Sequence, residues 1–465
     1  MKINAVVIIF LLLAVTATAQ QNNATLFSVD AFIQQVKSYH PVAKQANILV
    51  DKADAQLMAS RGNFDPTFAM DATRKTFDGK NYYYHTNPEL KIPTRIGADI
   101  KAGLENNGGA YMNPELSTGK TSYLGIEMPL LKGLVMDKRR AALQQAKIFQ
   151  SQSNQEKIQV INNLLFDAYT AYWQWAGNYQ LYMLYTQYQQ VATARFRLVQ
   201  IAYANGDRAA MDTLEAYTQV LNFQMLQADA MQKINDAGIE LSNYLWQEND
   251  VPYQVPQEYK PDTLQFTMAV MPQPIDELVT KAAIENPALR SYTLKLDALE
   301  VERKLKLQSL LPVLNAKANL LNKDYYVLKG VNAAFVENNY KWGIDFKLPL
   351  FLREGRGDYK TAKLKIQETN YAFAAKRWEV ENKIRSYYNQ FIQVNAQIEI
   401  TKNAYTGLKG LLRQEELKLS NGESSLFMVN SRENKLIETA QKLIELRIKY
   451  QKSYYAILWS AGLLR

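Results

Sequence analysis

The sequence predicts a mainly α-helical chain with membrane-type β structure, laid out twice as helix–β-hairpin–helix. Three observations predict it: an internal duplication, segments of strictly alternating polarity, and helical patterns too long for an ordinary globular domain. Val29 to Trp246 and Ile275 to Trp459 present the same features in the same order, which constrains the fold more than any single motif. Each half opens on a helix broken at a proline, at His40-Pro41 and at Asn286-Pro287. The next proline in each half, Pro66 or Pro312, keeps the same offset of 246 positions (312 − 66 and 287 − 41), so the helices between have equal length. Alternating segments then end in Pro129-Leu130 and Pro349-Leu350, long helical patterns break once at Asn205-Gly206 and Asn421-Gly422, and both halves close on Leu-Trp.

Residues 1–19 carry Lys2, an apolar run from Ala5 to Val15 and Ala17-Thr18-Ala19, which fits a secretory signal peptide cut before Gln20. That run is shorter than the roughly 20 residues of a spanning helix, and no later stretch is long and apolar enough. The first repeat then covers 20–246 with its β region at 64–130, a connector covers 247–274, and the second repeat covers 275–465 with its hairpin at 312–350. The connector holds five of the fourteen prolines and no clear periodicity, so it is expected to pack on the outside of the helices.

Composition excludes several classes. There is no cysteine, hence no disulfide scaffold, no thiolate metal site and no lipid anchor on an amino-terminal cysteine. The formal charge is +9, one unit less without Lys2, and the basic residues are interleaved with acidic ones rather than collected in a block, which argues against a nucleic-acid partner. Neither His40 nor His85 has a metal-ligand neighbourhood. No nucleophile motif, phosphate loop or metal spacing is present, so no catalytic residue, cofactor or metal is expected. Twenty-nine tyrosines suit packing between helices and, in part, a membrane–water interface.

The helices come next. From Val380 the residues Ile384, Tyr387, Phe391, Val394, Ile398, Thr401, Tyr405, Leu408 and Leu412 follow in steps of four and three, a heptad seam. Ile158, Ile161, Leu165, Ala168, Tyr172, Trp175, Tyr179 and Tyr182 keep a similar beat in the first half. Asp137 to Ala204 is 68 residues, about 100 Å of helix at about 1.5 Å per residue.

The strands alternate with a period of two. Tyr340, Trp342, Ile344, Phe346 and Leu348 oppose Lys341, Gly343, Asp345 and Lys347, giving one apolar and one charged face. Leu314 to Leu320 alternate likewise. In the first half Phe64, Phe68, Met70 and Ala72 oppose Asp65, Thr67, Asp71 and Thr73, and Leu124, Ile126 and Met128 oppose Tyr123, Gly125 and Glu127. A soluble sandwich would need many short strands in succession, whereas these are flanked by very long helices. Strands of this length and pattern suit an outer-membrane barrel. One chain supplies too few to close it, so an oligomer is expected. A third alternating run, Arg95 to Leu104, makes the first half uneven. Either Tyr82 to Leu90 adds a fourth strand, or the insertion at 78–118 is a hairpin extending above the membrane; the second reading is favoured.

In the order and spacing of these elements the chain resembles the TolC family of outer-membrane efflux proteins. The residues carrying the resemblance are the two proline breaks, the hairpin exits EMPLLKG and KLPLFLREG, and the helix interruptions YANGDRAAMDTLEA and LSNGESSLFMVNSRE. The resemblance implies a homotrimer whose chains build a twelve-stranded outer-membrane β-barrel, continued by a twelve-helix periplasmic α-helical, coiled-coil barrel. It implies an outer-membrane location in a Gram-negative bacterium, and an exit duct for drug efflux or type I secretion. Its partners would be outer-membrane lipid, a periplasmic adaptor (membrane fusion) protein and an inner-membrane pump of RND, ABC or similar type.

By that resemblance the periplasmic tip, where the adaptor docks and the duct is gated, comprises Asn205, Gly206, Asp207, Arg208 and Asp212 with Asn421, Gly422, Glu423 and Ser424. Asn and Gly tolerate the left-handed conformation that ends one helix, and Asp or Ser can cap the next. Arg208 and Asp212 are four apart, a pair worth only about 0.3 to 0.5 kcal/mol when exposed. Met428 takes the place of Asp212 in the second repeat, and the second turn has no arginine after its glycine, a departure from the family's usual tip network. Lys138-Arg139-Arg140 and Arg353 with Arg356 follow the strand exits, near inner-leaflet headgroups or the tunnel top, or simply as first-turn charge. Two other functions compete: a periplasmic coiled-coil scaffold without a channel, which lacks a use for the alternating strands, and a periplasmic hydrolase, for which no catalytic constellation exists.

Overall fold

The computed structural model describes residues 25–256, 258–267, 272–325 and 338–465. The expected signal peptide lies outside them. The chain forms two compact units, one comprising Ile161–Leu278, Lys383–Arg465 and the described residues up to Lys44, the other Gln45–Val160 and Val279–Asn382.

The first unit is helical. A short strand β1 (Thr25–Phe27) leads into α1 (Val29–Tyr39), whose first turn is capped by Ser28 accepting from the Ala31 N–H at 3.2 Å. The helix stops because Pro41 has no N–H to continue the ladder and holds His40 extended. A new helix, α2 (Pro41–Arg61), starts with proline at its first position. The His40 ring caps it, Nδ1 accepting from the Val42 N–H at 3.1 Å. In the second repeat Asn286 does the same with its amide oxygen, accepting from Ala288 and Leu289 at 3.0 and 3.3 Å. The duplicated break is thus one capping device built from two chemistries.

Helix α3 (Lys138–Ala204) runs 67 residues and α4 (Ala210–Ser242) follows it. The connector is not wholly outside the helices. Its strand β6 (Tyr259–Pro261) pairs in parallel with β1, and the short α5 (Thr263–Thr267) sends Phe266 into the core beside Trp173. That core is aromatic, with Phe32, Tyr172, Trp173 and Phe223 almost fully buried, and the Tyr172 hydroxyl donates to the Phe27 carbonyl at 2.7 Å. Helix α6 (Ile275–Glu285) begins the second repeat, followed by α7 (Pro287–Gln308), α8 (Arg353–Ser420, 68 residues) and α9 (Leu426–Ala461). Along α8 every one of the ten seam positions is buried or half-buried. At the carboxyl end Gly462 takes a left-handed conformation, and the buried Asn162 of α3 donates to the Trp459 carbonyl and accepts from the Leu464 N–H. Among the described residues no helix is long and apolar enough to cross a membrane.

Among the described residues the second unit is built on a six-stranded sheet. Its strands are β2 (Thr67–Phe77), β3 (Lys80–Pro93), β4 (Asp99–Gly108), β5 (Gly119–Pro129), β7 (Val313–Lys323) and β8 (Tyr340–Lys347), in the order β2-β3-β4-β5-β7-β8 with every neighbour antiparallel. Three expectations are corrected here. Phe64 belongs to a 3-10 turn, Gly62–Phe64, rather than to a strand. The run from Arg95 begins as a turn, closed by Thr94 donating to and accepting across Ala98 and Gly97, so the strand starts at Asp99. Of the two readings of the insertion, the structure bears out the one not favoured: Tyr82 to Leu90 lies in β3, a full strand paired with β2 from Thr67↔Lys91 to Phe77↔Lys80, with one register shift between Lys75 and Thr76, and with β4 from Tyr84↔Gly108 to Pro93↔Asp99. Three consecutive tyrosines and Pro88 mask its alternation. Pro88, which has no N–H to give, falls in the one gap of the β3–β4 ladder.

Candidate functional site

Two constellations are positioned by these elements: the two helix turns and the two faces of the sheet. Both turns end their helix in the same way. Gly206 and Gly422 have φ of +83° and +78°, a conformation that costs any residue with a Cβ. In the first, the Asp207 N–H donates to the Ala202 carbonyl at 2.9 Å and Gly206 to Tyr203 at 3.0 Å; in the second, Glu423 donates to Lys418 at 2.9 Å and Gly422 to Leu419 at 3.2 Å. This is the paired 6→1 and 5→2 pattern that satisfies terminal carbonyls.

The next helices start differently. Helix α4 has Ala209 at its N-cap with no side-chain bond, so Asp207 does not cap it as expected. Helix α9 is capped by Ser425, which accepts from Met428 at 3.4 Å. Ser424 instead donates to Glu415 at 2.6 Å, and this bond, with Arg432 3.6 Å away, holds the Glu415 carboxyl below the usual carboxylate range. Arg208 and Asp212 do pair, at 3.8 Å and partly exposed.

A buried polar network joins α3, α4, α8 and α9 near these turns. Arg195 of α3 donates to both carboxylate oxygens of Glu433 in α9, at 2.8 and 3.0 Å, and to Asn430 at 3.2 Å. Glu416 of α8 lies 3.8 Å from the same guanidinium. From α4, Gln219 donates to Asn434 at 2.8 Å and reaches Glu433 at 3.4 Å, while Glu215 accepts from Asn430. Glu433 is 1% exposed, a charge that only a close, multiply bonded partner makes tolerable. A signal for it existed: Leu426, Val429, Glu433, Leu436 and Ala440 step by three and four, placing one carboxylate on an otherwise apolar seam.

The sheet separates its faces as the alternation requires. Phe68, Met70, Leu124, Ile126, Trp342, Ile344 and Phe346 share one face and are exposed, Trp342 and Phe346 to 68% and 65%. The other face carries ion pairs from strand to strand: Lys91–Asp99 at 3.0 Å, Lys101–Glu127 at 2.7 Å, Lys317–Glu127 at 3.8 Å and Lys317–Asp345 at 2.6 Å. Arg139, from the first turn of α3, joins this belt through Asp99 at 2.8 Å, while Arg140 bonds the Gly133 carbonyl. Arg353 lies over the Phe351 ring at 5.0 Å. The 109–118 loop bends over the charged face, where Asn107 donates to the Ser117 carbonyl at 3.1 Å and Lys341 of β8 to the Glu115 carbonyl at 3.2 Å. The sheet thus carries an exposed apolar face backed by a face of paired charges.

A family model described as outer membrane efflux protein matches residues 32–245 and 278–462. The chain belongs to the outer membrane efflux protein family. The two matched stretches coincide with the two repeats, and the family places this protein in the outer membrane. Solved structures share its fold. The outer membrane protein VceC from Vibrio cholerae superposes with a TM-score of 0.63 at 14% identity, over 93% of this chain and 95% of that one. The CmeC outer membrane channel of Campylobacter jejuni gives 0.64 at 13% identity, over 94% and 85%. The MtrE outer membrane channel of Neisseria gonorrhoeae, solved in its open state, gives 0.64 at 13% identity, over 93% and 89%. No curated protein matches the chain by sequence. The fold class read from the duplication, a helix–hairpin–helix protomer with membrane β structure and long coiled-coil helices, is the fold of these outer-membrane channels, and the efflux family is a family of channels rather than enzymes.

Proposed function

We propose that this family member is the outer-membrane exit duct of a tripartite efflux or type I secretion system. Three copies form the duct, which conducts substrate passively from a periplasmic adaptor and an inner-membrane pump to the exterior. The observation that carries the reading is the sheet: one face suits lipid and the other is a belt of paired charges suited to water, which a scaffold rod would not need. The turns at Asn205, Gly206, Asp207, Arg208 and Asp212 and at Asn421, Gly422, Glu423 and Ser424 are the adaptor-docking and gating tip. Their support is that both are sharp, glycine-closed ends of very long helices with exposed residues.

The test is reconstitution. Detergent-extracted protein should run at the mass of three chains and open ion-conducting pores in planar bilayers, and photo-crosslinkers at Asp207 and Glu423 should capture an adaptor in vivo. Recovery as a soluble periplasmic monomer without conductance would return the scaffold reading.

A further inference from the structure

The resemblance implies four strands from each chain, two per repeat, yet this sheet has six. We propose that all six enter the barrel, so that β2 of one copy pairs with β8 of the next and three copies close an eighteen-stranded barrel. The inference rests on the trimeric reading above and adds how the copies join.

Three observations carry it. The first is that the lipid-facing pattern does not stop at β4. One hydrogen-bonded row crosses the whole sheet as Phe68, Leu90, Ala102, Leu124, Leu320 and Tyr340, apolar at all six strands. A hairpin projecting into water above the membrane has no reason to continue that row.

The second is the drift of the apolar band along the strands. It centres on Met70 in β2, two positions from the common row, and on Ile344 in β8, four positions from it on the opposite side. That is six positions over five strand steps, or about 20 Å along the strands against about 24 Å across them, from a rise of about 3.4 Å per residue and a spacing of about 4.8 Å. The band is therefore inclined by about 40° to the strand normal, which matches the roughly 35 to 45° tilt of strands in a membrane barrel. The band moves two positions over the two steps from β2 to β4, where it centres on Ala102 between Ile100 and Leu104, and four over the three steps from β4 to β8, so all six strands read as one tilted wall crossing one membrane.

The third concerns the edges. Among the described residues β2 pairs only with β3 and β8 only with β7. Open edges are not sustained in lipid, and six strands are fewer than the smallest closed single-chain barrel. Every neighbour in the sheet is antiparallel and the count is even, so β8 of one copy and β2 of the next also meet antiparallel, and rotation by the same operator closes the ring. A barrel of this size encloses an aqueous channel. The 109–118 loop, folded over the charged face, then narrows that channel.

The chain has no cysteine, which makes disulfide trapping clean. Met70→Cys and Phe68→Cys are each combined with Ile344→Cys and with Phe346→Cys, and oxidised in intact outer membranes. At least one combination should convert most of the monomer band to linked dimers and trimers on a non-reducing gel. In parallel, Ala102→Cys is combined with the same β8 positions, since a four-strand contribution would bring β4 against β8 of the neighbour. Native mass measured on each sample separates the two readings. A trimer linked through β4 and β8 overturns the eighteen-strand join while leaving the trimer standing; a monomer overturns both. Should the variants fail to insert, the strand count in an electron cryomicroscopy map of the wild-type trimer decides it, with eighteen expected and twelve overturning the proposal.

Discussion

Helix α3 of the first repeat and α8 of the second differ by one residue in length, 67 against 68, and follow a similar apolar beat. Their surroundings differ. Between Leu164 and Ala176, α3 buries Leu164, Leu165, Ala168, Tyr172, Trp173, Trp175 and Ala176, a stripe covered on two sides by α1, the connector and α9. Between Ile384 and Leu412, α8 buries only Ile384, Phe391, Val394 and Leu412, and leaves Ile392 and Ile400 in solvent. The same asymmetry recurs in the large sheet, where among the described residues the first repeat supplies four strands and the second two, and at the turns, where only the second is capped by a side chain. Duplication thus set the framework, while the first repeat became the packed partner and the second kept an apolar face that the proposed trimer would cover.

The largest expected effect on unfolding tests where the repeats meet. Glu433→Ala takes the bidentate partner from the Arg195 guanidinium, leaving only Asn430 at 3.2 Å and the more exposed Glu416 at 3.8 Å, and should cost up to about 3 kcal/mol of unfolding free energy in detergent. The double change Arg195→Met with Glu433→Leu should recover most of it, because no unpaired charge remains. Equal losses in the single and double variants would mean that packing, not charge pairing, holds α3 to α9 there.

Next comes the contrast between the faces of β8. Ile344→Arg should cost about 2 to 4 kcal/mol near the bilayer midplane, seen as a fall in assembled protein per membrane. Lys347→Gln, on the charged face, should insert like wild type. Equal assembly of the two variants would refute the assignment of faces.

The two turns offer a smaller contrast. Gly206→Val and Gly422→Val each place a Cβ at positive φ, where open space removes any clash and leaves only a backbone cost of about 1 to 2 kcal/mol. Thermal scans should show similar small shifts for both, with trimer assembly intact and transport reduced. Full transport by the double variant would dissociate these turns from the tip function.

The smallest contrast separates the two proline breaks. Asn286→Ala removes a cap and should cost about 1 kcal/mol at any pH. His40 caps through its neutral ring, and burial lowers its pKa from the ordinary value, opposed but not reversed by a backbone hydrogen bond to Asn243. The folded form is the neutral one, so its contribution is full above the unfolded value of about 6.5 and is lost as pH falls towards the lowered folded value. Denaturation at pH 7.5 and 5.0 should show a pH-dependent loss in wild type that His40→Asn abolishes.

What the sequence determined by itself follows from period and local backbone chemistry. Heptad spacing identified every buried or half-buried seam position of α8, because a 3.5-residue repeat admits one inward face. Strict alternation identified the apolar and charged faces of β8, and Asn-Gly identified both helix ends, because few residues accept positive φ. Prolines located the breaks between α1 and α2 and between α6 and α7. The rest is not local. Tyr82 to Tyr84 present aromatic side chains to both faces of β3, so only pairing with β2 and β4 makes that segment a strand. Glu433 reads as one carboxylate on a seam until α3 brings Arg195 to within 2.8 Å of it, across 238 residues of chain. Asn162 and Phe266 likewise acquire their roles, closing the carboxyl terminus and sealing the connector, only when distant segments converge. Periodicity fixes which way a residue faces on its own element; what it meets there depends on packing between elements far apart in sequence.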